Sequence, residues 1–435
     1  MWPNDDSRSA EIFTRAMEVL PGGISRLQTW VDPYPIYAKR GEGGYIEDED
    51  GTRRLDLMNN FASLIHGHAH PEIVSAVVQA VENGSCFAFP AEREIQLAEL
   101  LQDRIASVDK VRFCNSGTEA IMIALKAARA RTGRSRIAKI EGAYHGMYDH
   151  AEVSLDSRPD NWGNSPASIP HTYGTPQSVL EDTLVLPMNE PIETERLLRS
   201  QAESLAAVLI DPVPTKVGMI EMTAEYIDTI QKVARDIGAL IIVDEVIAFR
   251  LAYEGAQARY GIDPDLTTFA KIIGGGFPVG AICGKDNTMD VFSHENGEPL
   301  NPSSGTFTGN PVSMAAGLAT MRLLTREAYE GLEMMGERAR KAIRRAFEAS
   351  RRRGQVTGVG AMFQIHFNDR SLTDFRTAFR TEEENAISKH VHRGMLDRGF
   401  ILSPRCSGFL STVNTEQEID DLGIALTETL QETAV

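Results

Sequence analysis

Cysteine is scarce in this sequence. Cys86, Cys114, Cys283 and Cys406 are the only four in 435 residues, and none lies close to another. No C-x-x-C pair and no Cys/His ligand spacing occurs, so neither a disulfide scaffold nor a zinc site is expected. Free thiols in a reducing cytoplasm are the expectation. Long apolar runs are also missing. Stretches such as Ala239 to Val243 fall far short of the roughly 20 residues a membrane span needs. The start, MWPNDDSRSAEIF, lacks the basic-then-apolar order of a signal peptide, so none is expected. Positive charge is in deficit, with 44 Lys and Arg against 61 Asp and Glu, a net charge of −17. That field disfavours nucleic acid and anionic membranes as partners. The one basic cluster, Arg338 to Arg353, is expected on a solvated helix face. Low complexity and internal repeats are absent.

What remains is an ordinary globular composition, 42% hydrophobic and 24% charged, in a chain long enough for two or three domains. Residues 8–19 read as an amphipathic helix ended by Pro21-Gly22-Gly23. Residues 35–57 read as a small antiparallel meander with a hairpin signal at Asp50-Gly51. Helices near 71–83 and 91–105 follow. Strands at 111–116, 136–142, 206–212 and 239–246 then alternate with helices at 117–133 and 224–237. The run ALIIV before Asp244 suits a parallel strand buried on both faces. This alternation predicts an open, mostly parallel α/β sheet, with ligands at the carboxyl ends of its strands. After about residue 310, helices (311–325, 328–352, 383–397, 415–431) interleave with short strands, as in a smaller α+β domain. The expected division is 1–60 (helix and meander, part of the small domain), 61–309 (large domain) and 310–435 (small domain).

Four features at strand ends carry chemistry. Asn115-Ser116-Gly117-Thr118 opens a helix, and a helix amino terminus offers free N–H groups to an anion. Tyr144-His145, between Gly142 and Gly146, supplies an aromatic that can stack on a flat ring. Asp244 closes a buried strand, where a carboxylate needs a cationic partner. Lys271 stands between an apolar run and Gly274-Gly275-Gly276, which leave room for backbone to approach a ligand. A partly desolvated lysine loses basicity and becomes nucleophilic. Each feature alone has an ordinary structural explanation: a helix cap, an aromatic plug, an ion pair, a snorkelling lysine. Together they meet the needs of pyridoxal phosphate: phosphate held, ring covered, ring nitrogen paired with an acid, aldehyde bound to a lysine.

The sequence resembles the class III, fold-type I pyridoxal-phosphate aminotransferases over nearly its whole length, with the glutamate-1-semialdehyde aminomutase branch as the nearest likeness. The stretches that carry this are PGGISR, GHAHP, RFCNSGTEAIMIALKAARARTGR, KIEGAYHG, IIVDEVIAFR, YGIDPDLTTFAKIIGGGFPVGA and SGTFTGNPVSMAAG. The resemblance implies Lys271 as the Schiff-base lysine and Asp244 as partner of the ring nitrogen. It implies Val246 and Tyr144 on the two ring faces, and Ser116, Gly117 and Thr118 on the phosphate. Thr306 matches a phosphate contact made across a homodimer with shared active sites. Glu119 and Asp211 match positions near the site, Asp211 standing where many relatives carry Glu. Arg405, in LSPRCSGF, and Arg26, in GGISR, resemble arginines of β-amino-acid transaminases, including β-phenylalanine aminotransferases. There the first is a mobile clamp for the keto acid's carboxylate and the second binds that of the β-amino acid. A planar guanidinium suits such two-pronged binding. Trp30, Tyr34 and Phe61 are candidates for the pocket wall.

Three functions follow. One is a transaminase passing an amino group from a β-amino acid or related amine to pyruvate or 2-oxoglutarate. A second is an aminomutase or racemase using the same cofactor. The third, a non-catalytic scaffold, is disfavoured by retention of the whole cofactor constellation.

Overall fold

The computed structural model describes residues 2–295 and 297–432. In chain order, helix α1 (Arg8–Val19) precedes strands β1 (Ala38–Glu42), β2 (Tyr45–Asp48) and β3 (Arg53–Asp56). Helices α2 (Pro71–Glu82) and α3 (Glu92–Arg104) lead to β4 (Lys110–Cys114), α4 (Gly117–Thr132), β5 (Arg136–Ile140) and β6 (Thr183–Leu186). Next come α5 (Pro191–Ser200), β7 (Leu205–Ile210), α6 (Ala224–Ile237), β8 (Leu240–Asp244), β9 (Leu266–Ala270) and β10 (Gly280–Gly284). The chain ends with α7 (Pro311–Leu323), α8 (Arg326–Ser350), β11 (Gln355–Thr357), β12 (Met362–His366), α9 (Glu382–Asp397), β13 (Phe400–Ile401), β14 (Ser407–Phe409) and α10 (Glu416–Glu432). The contacts divide into two compact units. One holds residues up to Pro71, Gly331–Asp369 and those from Arg380; the other holds Glu72–Glu330 and Arg370–Phe379.

The second unit is built on a seven-stranded sheet in the order β4-β10-β9-β8-β7-β5-β6. β5 to β9 pair in parallel, and β10 runs antiparallel to both β9 and β4. β4 therefore points the same way as β5, β7, β8 and β9, so the carboxyl ends of all five share one edge. Both faces are covered, which explains the continuous apolar runs. Val208, Ile210, Ile241 and Val243 pack with Ile227, Ile230 and Val233 of α6. Ala207, Leu209, Ile242 and Ile282 pack in a second cluster with Ala120, Ala124 and Ala128 of α4. The small residues of α4 let it lie close to the sheet.

The first unit carries two smaller sheets, β1-β2-β3-β13 and the antiparallel β11-β12-β14. The basic cluster lies mostly on a solvated face, with Lys341, Arg344, Arg345, Arg351 and Arg353 exposed and Arg338 paired with Asp420 and Glu416. Arg340 is the exception: it is buried, and its guanidinium donates to the carbonyls of Gly360 and Met362. One expectation changes here. Tyr34, a candidate for a pocket wall, is buried against Trp2 in an amino-terminal cluster, and its hydroxyl donates to the Asn4 carbonyl.

Candidate active site

Residues just beyond β4, β5, β7, β8 and β9, and just before β10, enclose a cavity of about 280 Å³. It lies at the shared carboxyl edge, where open α/β sheets place their ligands. Ser116, Gly117, Thr118, Tyr144, Asp244, Val246 and Lys271 all line it. So do His145 and Asp211.

One wall is the amino terminus of α4. Ser116 caps the helix, its Oγ accepting from the Glu119 amide at 3.1 Å. The Glu119 carboxylate reaches back to the Asn115 amide at 2.7 Å and to its side chain at 3.1 Å. Together these bonds brace the turn from Asn115 to Glu119. Among the described residues no hydrogen bond engages the amides of Gly117 or Thr118, which stay available at the positive end of a 16-residue helix. Gly146 closes over this turn with φ +88°. A Cβ there would fall 2.6 Å from Thr118 Oγ1.

The opposite wall is acidic. Asp244 Oδ2 lies 2.7 Å from His145 Nδ1, and its Oδ1 accepts from the Val246 amide at 2.9 Å. Both side chains are buried. Burial pushes the His145 imidazole below its ordinary pKa, and the Asp244 carboxylate opposes that shift. In the neutral ring that burial favours, Nδ1–H donates to Asp244. Glu245, the other acid of the pair, is turned elsewhere. It accepts from the amides of Ala256 and Gln257 at 2.7 and 2.8 Å, and burial lifts its pKa to about 7. The pleat thus assigns one acid to the cavity and its neighbour to the amino terminus of a short helix at Ala256–Tyr260. Asp211, just beyond β7, is held well above the usual carboxylate range by burial and by Asp244.

Lys271 follows β9 directly and opens a tight turn. It is half-buried and has φ +51°, a left-handed backbone that lysine rarely adopts. Such outliers concentrate at functional sites. Two of the glycines after it are pressed against protein. A Cβ on Gly275 would meet Ala316 O of α7 at 2.6 Å, and one on Gly274 would meet Val279 at 2.4 Å.

Tyr144 is 38% exposed at the cavity mouth. Thr306 is exposed on the loop before α7 and is not among the lining residues. Arg26 and Arg405 belong to the first unit. The Arg405 carbonyl accepts from Arg380 Nη2 at 2.7 Å; the same nitrogen donates to the Ile365 carbonyl at 2.9 Å. Arg380 Nη1 donates to Ser388 Oγ at 2.7 Å. The backbone under Arg405 is therefore anchored. Sequence reasoning missed the partnership of His145 with Asp244. The only signal for it was the histidine's place beside Tyr144 between two glycines.

Residues 27–402 match the class-III aminotransferase family. A glutamate-1-semialdehyde 2,1-aminomutase of Methanothermobacter thermautotrophicus is 38% identical, covering 95% of this chain and 96% of that protein. Among solved structures, an omega-transaminase from Sphaerobacter thermophilus superposes with a TM-score of 0.96 at 45% identity, covering 98% of each chain. A transaminase with pyridoxal phosphate bound gives 0.90 at 39% identity, covering 97% of this chain and 96% of that one. A β-phenylalanine aminotransferase from Variovorax paradoxus gives 0.87 at 30% identity, covering 98% and 94%. The cavity fits that cofactor: free amides at a helix amino terminus for its phosphate, a buried acid and a lysine. With sequence, fold and cavity in agreement, this chain belongs to the class-III aminotransferases, pyridoxal-phosphate enzymes of fold type I.

Proposed function

We propose that this enzyme is a transaminase that moves an amino group from a β-amino acid or related amine to a keto acid, pyruvate or 2-oxoglutarate. The observation that carries the reading is the 45% identity, over 98% of both chains, to an omega-transaminase. Pyridoxal phosphate, when bound, supplies a protonated ring that takes up the electron pair left when a proton departs from the substrate carbon.

The residues divide the remaining work. Ser116, Gly117 and Thr118 hold the phosphate at the positive end of α4. Asp244 would pair with the ring nitrogen and keep it protonated, and His145, bonded to Asp244 Oδ2, fixes the orientation of that carboxylate. Val246 and Tyr144 would cover the ring. Lys271 would be the covalent attachment point, and its amine would take the proton from the substrate carbon. Arg26 binds the carboxylate of the amino donor, and Arg405 that of the keto acceptor.

The reading includes a homodimer in which Thr306 of the partner subunit completes the phosphate site. An exposed apolar stripe supports it: Val74, Val78 and Val81 on α2, with Phe87, Phe89 and Phe307 in the same unit. The four cysteines are free, as suits a cytoplasmic enzyme, and among the described residues no helix is long and apolar enough to cross a membrane.

A second reading, an aminomutase, is favoured by the names of the sequence relatives. Incubation with a β-amino acid, with and without pyruvate or 2-oxoglutarate, separates the two. Transamination requires the acceptor; product formed without it sinks the proposal. Lys271→Ala is expected to fold normally, to lose turnover, and to lose the visible absorbance of a lysine-bound cofactor. Turnover like wild type in that variant removes the role of Lys271.

A further inference from the structure

The most unusual backbone in the protein lies outside the cavity. Asn59, Asn60, Phe61 and Ala62 all have positive φ, at 46°, 48°, 55° and 68°. With ψ of 55° and 52° at Asn60 and Phe61, this is one turn of left-handed helix. For L-residues that conformation costs about 1–2 kcal/mol each. Four such residues in succession persist only where the surroundings over-determine them.

The surroundings here do so. Asp56 Oδ1 accepts from the amides of Met58 and Asn59 at 2.9 and 3.0 Å. Asn59 is fully buried, and its Nδ2 donates to the Phe409 carbonyl at 2.7 Å. Inside the turn, the amides of Ser63 and Leu64 both donate to the Asn59 carbonyl, at 2.9 and 3.1 Å. Asn59 and Ala62 face inward, whereas Asn60 is exposed and Phe61 half-exposed.

Both outward side chains meet one group. Arg26 Nη1 donates to Asn60 Oδ1 at 2.7 Å, and Arg26 Cζ lies 4.9 Å from the centre of the Phe61 ring. Neither contact neutralises the guanidinium, because an amide oxygen and a ring face carry no net charge. Among the described residues no carboxylate forms an ion pair with Arg26. A strained turn therefore grips an exposed arginine while its full charge is kept.

We infer that Asn60 and Phe61 are positioning residues, and that the left-handed turn holds Arg26 as a pre-set, un-neutralised fork for the carboxylate of the amino donor. This rests on the proposed role of Arg26 as a donor-carboxylate ligand. Held from one side by an amide and stacked on one face, the guanidinium loses little further freedom when it closes on a carboxylate. Selection of acidic over neutral amines would then depend on residues that touch no substrate.

The test uses the holoenzyme with pyruvate and two donors, 3-amino-3-phenylpropanoate and 1-phenylethylamine, which differ by one carboxylate. The readout is the ratio of their kcat/KM values. Arg26→Ala is expected to lower the ratio at least about tenfold; no change there sinks the role of Arg26 itself, and this inference with it. Asn60→Asp tolerates the left-handed backbone and places a competing carboxylate on Arg26, so the ratio is expected to fall about tenfold. Asn60→Gly keeps the turn and removes the tether. It is expected to lower the ratio about threefold while the melting temperature holds or rises. If Arg26→Ala lowers the ratio but both Asn60 variants leave it at the wild-type value, or lower both donors equally, the positioning role is overturned.

Discussion

Lys139 sits in the middle of β5 with no exposed surface, and its Nζ donates to the carbonyls of Val153 at 2.8 Å and Ile140 at 3.2 Å. Burial lowers its pKa to about 7 against the pull of Glu141. In the unfolded chain it returns to an ordinary lysine near 10.5. Between those values the unfolded state holds a proton that the folded state has released, so stability rises with pH across that window and falls as pH drops towards 7. Lys139→Met removes this dependence. The variant is expected to gain on wild type by on the order of 3 kcal/mol between pH 9 and pH 6. Denaturant melts at both pH values measure it, and a difference that does not change with pH refutes the depressed lysine. The sequence placed Lys139 in a strand but offered no sign of its isolation, because burial on both faces depends on which helices cover the sheet. The same holds for His145, whose partner Asp244 lies two strands away in the sheet order. Lys271 and Asp244 were legible for the opposite reason: each is a charged residue at the end of an apolar run, and that conflict is written locally.

At the scale of elements, the turn that opens α4 depends on Gly146. Alanine there would set a Cβ 2.6 Å from Thr118 Oγ1 on a backbone at φ +88°, which favours glycine. Gly146→Ala is expected to weaken pyridoxal phosphate binding by about tenfold or more and to cost roughly 1–3 kcal/mol of stability. Titrating the apoenzyme with the cofactor reads the first effect and thermal melting the second. Unaltered affinity would mean that this glycine does not shape the phosphate turn. The sequence expectation of a helix over 224–237 matches α6, capped by Thr223 and closed by Gly238. β10 has no such sequence signal. GAICG shows no alternation because both its faces are buried, and nothing local marks it as the one antiparallel strand. That strand matters to the site, since by reversing between β9 and β4 it brings the Ser116 turn to the same edge as Lys271.

The proposed dimer belongs to the scale of the whole molecule. If Thr306 of the partner subunit completes each site, two inactive chains can repair each other. Co-expressed Lys271→Ala and Thr306→Glu chains form mixed dimers in which one site has both native residues. Activity is expected to recover to about a quarter of wild type, although either chain alone is inactive. Mixed dimers without activity would show that the sites are not shared. The net charge of −17 frames the substrate side as well. In a molecule that repels anions overall, carboxylated substrates need local arginines, and Arg26 and Arg405 are the residues proposed for that task.

The sequence by itself determined the class of sheet, the helices with clear caps, and an acid, a lysine and a helix-opening turn that the structure brings to one cavity. These are local matters of period, capping and a charge set against apolar neighbours. Only the tertiary structure decided that His145 backs Asp244, that Glu245 turns away to the amides of Ala256 and Gln257, and that Gly274 and Gly275 pack against Val279 and α7. It alone revealed the left-handed turn that holds Arg26. Each of these depends on a neighbour remote in the chain, and a residue's type does not specify the partner that folding brings to it.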